Sequence, residues 1–405
     1  MRIATLAMGG LLTSFGAGTL DGAWARHTID DSSFGADGVR LADVNGDGRL
    51  DITSPWEEGG EIRVYFHPGE SGLRDRWPRV TVGKVGDPED SFFVDLDGDG
   101  AVDVVSSCEG KTRSMFVHWA PVDKASLSDP AAWKTEELPA AAGEARWMYA
   151  FAMQIDGRFG TDLVAGSKAD GGGIGWFEAP ENPRDLAAWR WHPLYDSGWV
   201  MTLRPYDVDF DGDLDIVGTD RTGTGRGALW LERPEDVHGE WPEHRIGPAD
   251  VYEAMHNAIA DLDQDGLDDV IAPARGGPIL IHRRTSKTPP TWETHEIPMP
   301  PNTGVGKAVQ VADIDLDGSE DLVVSCARAG EGKSGVFWMS HEGSIWSTTS
   351  ISGPEGFIFD LIQLTDLDRD GDLDAVTLEQ AAPGVAREKI PGRELGVVWY
   401  ENPAR

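Results

Sequence analysis

"LADVNGDGRLDI", residues 41–52, sets Asp43, Asn45, Asp47 and Asp51 at the first, third, fifth and ninth places of one short loop. Oxygen-bearing side chains on alternate residues, with glycine to turn the backbone, are the ligand chemistry of a hard cation such as Ca2+. A single copy could open an EF-hand or form an acidic active centre. The stretch is not single. The pattern D-x-[DN]-x-D-G-x-x-D returns at Asp95–Asp103, Asp207–Asp215, Asp261–Asp269, Asp313–Asp321 and Asp366–Asp374, and a decayed copy, "QIDGRFGTD", fills Gln154–Asp162. Successive copies start 52, 59, 53, 54, 52 and 53 residues apart, a spacing that marks a repeat architecture using most of the chain.

Two further signatures keep this period. One is a Trp with an aliphatic residue five places on and often His three places on, as in "WARHTI" (24–29), "WRWHPL" (189–194) and "WPEHRI" (241–246). The other is an apolar run closing in aromatics before Pro, as in "IGWFEAP" (174–180) and "VVWYENP" (397–403). Each unit therefore holds four short β-branched or aromatic segments bounded by Gly, Pro and Asp, and none shows a sustained 3.6-residue period. Seven such units predict an all-β, seven-bladed β-propeller of four-stranded antiparallel blades. The blades fall near 37–83, 90–139, 146–195, 199–247, 253–298, 305–352 and 357–403. The last unit lacks its Trp strand while the chain opens with a spare one, so segment 24–30 should complete the seventh blade and close the ring.

The Asp loops followed by "LDI", "VDVV" or "DLVV", with their "WYENP"-like closing runs, resemble the FG-GAP/VCBS repeat family. That resemblance covers about residues 24–403 and implies the same seven-bladed propeller. The repeats are also similar, more weakly, to the propeller domain of aldos-2-ulose dehydratase, which implies elimination chemistry on sugars. Family members otherwise include adhesins, lectin-like modules and enzymes, so fold alone does not choose a function.

The twelfth loop position, which an EF-hand fills with Glu, is Ser54, Ser106, Gly218, Ala272, Val324 or Thr377, and the flanks read as strands. The EF-hand reading fails. Structural Ca2+ remains the expectation at up to six sites, built from Asp43, Asn45, Asp47 and Asp51; Asp95, Asp97, Asp99 and Asp103; Asp207, Asp209, Asp211 and Asp215; Asp261, Asp263, Asp265 and Asp269; Asp313, Asp315, Asp317 and Asp321; and Asp366, Asp368, Asp370 and Asp374. The competing reading has the same side chains capping the turn through backbone N–H groups. The decayed third loop, with Gln154 first and Arg158 fifth, should hold no metal. No organic cofactor is implied.

Among 405 residues, 70 are Asp or Glu and 35 Lys or Arg, a formal charge of −35. Phosphate recognition needs a basic face, so nucleic acid is excluded as a partner. Two cysteines make no disulfide framework, and Cys108 and Cys326 fall on blades too far apart to pair. Residues 1–20 resemble a secretory signal peptide and no later run could span a bilayer. The expectation is one propeller domain, 21–405, that is secreted, periplasmic or on the cell surface.

Antiparallel blades put the Asp loops on one face. The loops joining second to third strands, and those joining blade to blade, lie on the other. The repeats diverge most there, which is where function is expected. That face should collect Lys111, Arg113, Lys168, Arg221, Arg275, Lys307 and Arg328 with Trp56, Trp147, Trp199 and Tyr252, interspersed with Glu57, Asp90 and Asp360. Rings stack on sugars and guanidinium forks hold carboxylate or sulfate, so an anionic or oxidised carbohydrate is the ligand class expected. Asp90 lies five residues before its Asp loop and Asp360 six before its own, near the central channel, and Tyr149 and His256 share the five-residue offset there. The latter two could act as acid and base of a lyase- or dehydratase-type elimination, with Arg146 or Arg221 neutralising the developing enolate. A non-catalytic sugar- or protein-binding propeller and a purely structural surface protein are the alternatives. His27, His192, His244 and His295 repeat with the Trp strand, which predicts a structural role for them.

Overall fold

The β-branched segments pair as the repeat demands. The structure, a computed structural model, describes residues 23–169, 171–330, 332–343, 345–354, 357–381 and 395–404. These form seven four-stranded antiparallel sheets, the blades of a propeller. Blade 1 runs Arg40–Ala42, Asp51–Trp56, Glu61–Tyr65 and Arg79–Lys84 from axis to rim. The innermost strands of blades 2 to 7 are Pro88–Val94, Arg146–Met153, Val200–Tyr206, Ala258–Ala260, Val305–Ala312 and Ile358–Thr365. In the seventh sheet Ala25–Asp30 lies outside Gly396–Glu401, with Ala25 opposite Glu401 and His27 opposite Trp399. The N-terminal strand closes the ring, leaving no blade with an unpaired edge toward the gap. The candidate leader lies outside the described residues, and no described helix is long and apolar enough to cross a membrane.

Second strands such as Asp51–Trp56, Asp103–Cys108 and Asp215–Asp220 are buried along their whole length. Their apolar residues pack against adjacent blades: Ile52, Trp56, Val376 and Leu378 meet Ile29, Val39 and Trp399 in the seam between blades 7 and 1. A buried Trp removes about 150–250 Å2 from water, worth at most about 4–6 kcal/mol before conformational entropy is charged against it.

The repeated Trp has a second task. The indole N–H groups of Trp77, Trp133, Trp189 and Trp241 donate to the carbonyls of Leu73, Leu127, Pro183 and Val237 at 3.1, 2.9, 2.9 and 3.0 Å. Each thereby ties the loop before the outermost strand. The repeated His follows the same logic. His27, His192 and His244 bond Glu401, Glu178 and Glu232 at 2.8, 2.8 and 2.7 Å and lie over Trp399, Trp176 and Trp230. His295 departs from this, reaching only Glu293 at 4.0 Å. Cys108 and Cys326 are buried and free, and burial pushes both thiols up.

The innermost strands break register where they meet the axis. β-Bulges fall between Pro88 and Asp90, Trp147 and Tyr149, Val200 and Thr202, Gly306 and Ala308, and Phe359 and Ile362. A bulge inserts an extra residue and re-aims its side chain. Here the inserted residues include Glu89, Met148, Met201, Lys307 and Asp360, and all five line the axial cavity.

Candidate functional site

The Asp loops are built around their ninth residue. Asp51, Asp103, Asp162, Asp215 and Asp374 each accept a common pair of backbone N–H bonds, to which Asp162 adds a third from Asp156 at 3.4 Å. One comes from the loop's second residue (Val44, Leu96, Ile155, Val208, Leu367). The other comes from a residue one or two places after the third strand (His67, Ala120, Ala179, Arg233, Asn402). Burial pushes Asp51 and Asp162 up to about 6, and Asp103, Asp215, Asp269, Asp321 and Asp374 up to about 7. Asp162 keeps this arrangement in the loop that has lost the acids at its first and fifth positions. The ninth Asp is therefore a staple between loop and strand first, whatever else it holds.

The earlier positions also cap the turn: Asp43 accepts from Gly46, Asp47 and Gly48, and Asn45 from Asp47. Their remaining lone pairs still suit a hard cation. Carboxylate oxygens of Asp95, Asp97 and Asp99 lie within 4.8 Å of one another, as do those of Asp261, Asp263 and Asp265, and of Asp207, Asp209 and Asp215. The donor set fits Ca2+, with the first, third and fifth residues as the ligands such an ion would take. Arginines already lean on two of these loops: Arg184 on Asp97 and Asp99, Arg283 on Asp263 and Asp265.

On the opposite face all seven blades converge on the axis. A small cavity of about 30 Å3 is lined by Asp37, Glu89, Asp90, Met148, Tyr149, Met201, His256, Lys307, Asp360 and Leu361. Asp360 is its hub, bonding His256 Nε2 at 3.2 Å and Lys307 Nζ at 2.5 Å. Burial pushes the Asp360 carboxyl up, but Lys307 and His256 outweigh it and hold the group well below the usual range. Burial likewise lowers Lys307, and Asp360 more than restores it. His256 is lowered by burial despite Asp360, and its Nδ1 meets the Thr202 hydroxyl at 3.0 Å. Asp37 and Glu89 have no such cation of their own. Burial and each other's company raise Asp37 well above its ordinary value, and burial raises Glu89 to about 7. Beneath them Arg40 bonds Asp90 at 2.8 Å and lies 4.0 Å from the Tyr149 ring centre.

A larger groove of about 440 Å3 opens on the same face between blades 4 and 5. Arg221, Arg226 and Arg275 line it with Tyr252, Glu253 and the turns Thr222–Gly223 and Gly276–Gly277. Arg221 is nearly buried, stacked 4.0 Å over the Trp199 ring, with its Nε 3.2 Å from Glu253. Arg275 reaches the same carboxylate at 3.3 Å. Burial would raise Glu253, but the two guanidinium groups hold it below its ordinary range. Asp220 fixes the wall, accepting from the N–H groups of Gly198, Trp199 and Thr222. Three cations against one carboxylate make a positive pocket in a chain of formal charge −35.

The structure thus brings Asp90, Tyr149, His256, Lys307 and Asp360 together at the axis, and Arg221, Tyr252 and Arg275 in the groove. Trp199 links these regions, carrying Lys168 at 4.4 Å on its ring. Two expected ligand residues are core instead. Trp56 is buried with its indole N–H on the Tyr65 hydroxyl, and Trp147 is buried with its N–H on the Ala141 carbonyl. Both belong to strands whose side chains alternate into the inter-blade seam. Arg146, Lys111 and Arg328 are exposed and line neither the groove nor the axial cavity, and Arg113 braces the Glu144 carbonyl. Glu57 sits in a carboxylate group with Glu89 and Glu109 beside the axis. Sequence reasoning missed Asp37, Glu89, Arg40, Thr202 and Arg226. Asp37, Glu89, Lys307 and Asp360 all lie six residues before their loops, a regularity the five-residue offset of His256 concealed.

Residues 261–324 and 313–377 match the family of FG-GAP-like repeats. No curated protein matches the chain. Among solved structures, BBS1N in complex with ARL6DN, soaked with lead, aligns at TM-score 0.55 and 10% identity, covering 93% of this chain and 97% of that one. The mercury-soaked crystal aligns at TM-score 0.51 and 9% identity, covering 93% and 96%. At that identity the likeness is one of fold. The chain carries FG-GAP-like repeats within a seven-bladed β-propeller.

Proposed function

We propose that the protein is a binding propeller, secreted or displayed at a cell surface with Ca2+ in its intact Asp loops. In this reading it takes an anionic carbohydrate, bearing uronate or sulfate, in the arginine groove between blades 4 and 5. The observation that carries it is the set of Arg221, Arg226 and Arg275 around a space of about 440 Å3. Ligand pockets typically run to about 300–1,000 Å3. Arg221 is already held flat on Trp199, so its fork needs little ordering to grip a carboxylate or sulfate bidentately. Tyr252 at the rim offers a ring for the sugar face.

Binding is favoured over elimination for two reasons. The axial cavity of about 30 Å3 has room for a water but not a sugar ring. His256 is buried against that cavity, with its two ring nitrogens on Thr202 and Asp360. The test is calorimetric titration with oligouronates, sulfated oligosaccharides and neutral controls, with ultraviolet absorbance followed for unsaturated product. Acidic oligosaccharides should bind, neutral ones should not, and Arg221→Ala with Arg275→Ala should abolish binding while the protein stays folded. Binding that survives both substitutions, or an absorbing product, would overturn the proposal.

A further inference from the structure

The Trp–His–Glu arrangement of the rim recurs in blades 3, 4 and 7, and in blade 3 it acquires a third ligand. Glu178 ends the strand Gly173–Glu178, His192 lies on Arg190–Asp196, and His238 comes from the loop of blade 4 between Gly227–Leu231 and Glu243–Ile246. Donor atoms of the three side chains lie within 4.8 Å of one another. The two imidazoles both stack on Trp176, at 4.6 and 5.6 Å, and their ring centres are 5.1 Å apart. The loop that presents His238 is itself fixed: Asp236 accepts the His238 N–H at 3.3 Å, and the Trp241 indole donates to the Val237 carbonyl at 3.0 Å.

We propose that Glu178, His192 and His238 form a binding site for Zn2+, or another late first-row divalent ion, at the outer seam of blades 3 and 4. Two imidazole nitrogens and one carboxylate oxygen are borderline ligands that suit Zn2+ and not Ca2+, so the site is chemically separate from the Asp loops. Zn–N and Zn–O bonds of about 2.0–2.2 Å require the donors to draw inward by roughly an ångström. His238 is exposed and free to make that movement. The ion would replace the present 2.8 Å His192–Glu178 bond and leave one coordination position open.

The other blades supply internal controls. In blade 7 the third group is Arg74, a cation 2.5 Å from Glu401, which excludes a metal from the His27–Glu401 pair. For the His244–Glu232 pair of blade 4, the loop of the next blade equivalent to the one that carries His238, residues 287–290, reads "KTPP" and contains no His, Cys or acid.

The test uses the full chain in excess Ca2+, which keeps the Asp loops supplied with their own ion. Zn2+ is titrated calorimetrically, and Cu2+ is used as a spectroscopic probe. A single Zn2+ should bind, weakened about tenfold or more by His238→Ala or Glu178→Gln and unchanged by His244→Ala. Pulsed electron paramagnetic resonance of the Cu2+ form should show two imidazole nitrogens, falling to one in His238→Ala. His238 is exposed, so its loss leaves the fold intact. Zn2+ affinity unaltered by His238→Ala, or a Cu2+ centre without imidazole nitrogen, would overturn the proposal.

Discussion

Asp162 offers the cleanest test of how the Asp loops hold the blades, because its loop has lost the acids at the first and fifth positions. Its Oδ2 accepts the Ile155 N–H at 2.8 Å and its Oδ1 the Ala179 N–H at 2.9 Å, both buried. Asp162→Ala strands these donors, and each buried orphan costs about 1–3 kcal/mol. Against that, the carboxyl titrates at about 6 in the fold and at about 3.9 in an unfolded chain. The ionised form therefore carries a desolvation penalty of up to about 3 kcal/mol at pH 8. Its favourable contribution is complete below about pH 4 and is lost as pH rises through about 6. Asp162→Ala should thus cost about 2–4 kcal/mol near pH 5 and less at pH 8. Urea unfolding followed by Trp fluorescence reads this directly, and the deficit should be the same in Ca2+ and in chelator. A cost below about 1 kcal/mol at pH 5, or one present only with Ca2+, would refute the backbone-staple argument.

At the axis, Glu89→Gln removes a buried carboxylate that titrates at about 7. The variant should be more stable than the parent by up to about 3 kcal/mol at pH 8.5, with the advantage gone by about pH 4.5; a parent more stable at alkaline pH would contradict the assignment. Removing Ca2+ should lower the melting temperature, since an ion at a hundred times its Kd adds about 2.7 kcal/mol per site. Equal calorimetric scans in Ca2+ and chelator would show that the loops stand on hydrogen bonds alone. Arg40→Met should leave Asp90 buried beside an apolar side chain at a cost of about 3 kcal/mol or more, restored in part by adding Asp90→Asn. Absence of that rescue in a double-mutant cycle would deny the pair its coupling.

The scaffold was legible because seven copies vote on it. Blade count, phase and the closing strand all follow from the spacing of Asp43, Asp95, Gln154, Asp207, Asp261, Asp313 and Asp366, where any single loop is ambiguous. The site was half legible. His256, Tyr149, Asp90 and Asp360 were placed at the channel from their offset, but that offset assumes strict alternation along a strand. The bulges at Glu89, Lys307 and Asp360 break alternation, so adjacent residues both reach the axis, and hydrophobicity patterns do not mark bulges. Trp56 and Trp147 were misplaced for the complementary reason: they lie at strand ends, where one residue decides between solvent and seam. Arg226 carries no repeat signature at all.

The pairing of Ala25–Asp30 with Gly396–Glu401 also imposes an order of events. Among the described residues the two strands are the most distant partners in sequence, and on a ribosome working at about 5–20 residues per second the second emerges roughly 20–75 s after the first. Throughout that interval the early strand must wait, unpaired, while six blades assemble beside it. Ring closure is then a late, long-range step, and a nascent chain released before residue 396 presents an open sheet edge to whatever strand it meets.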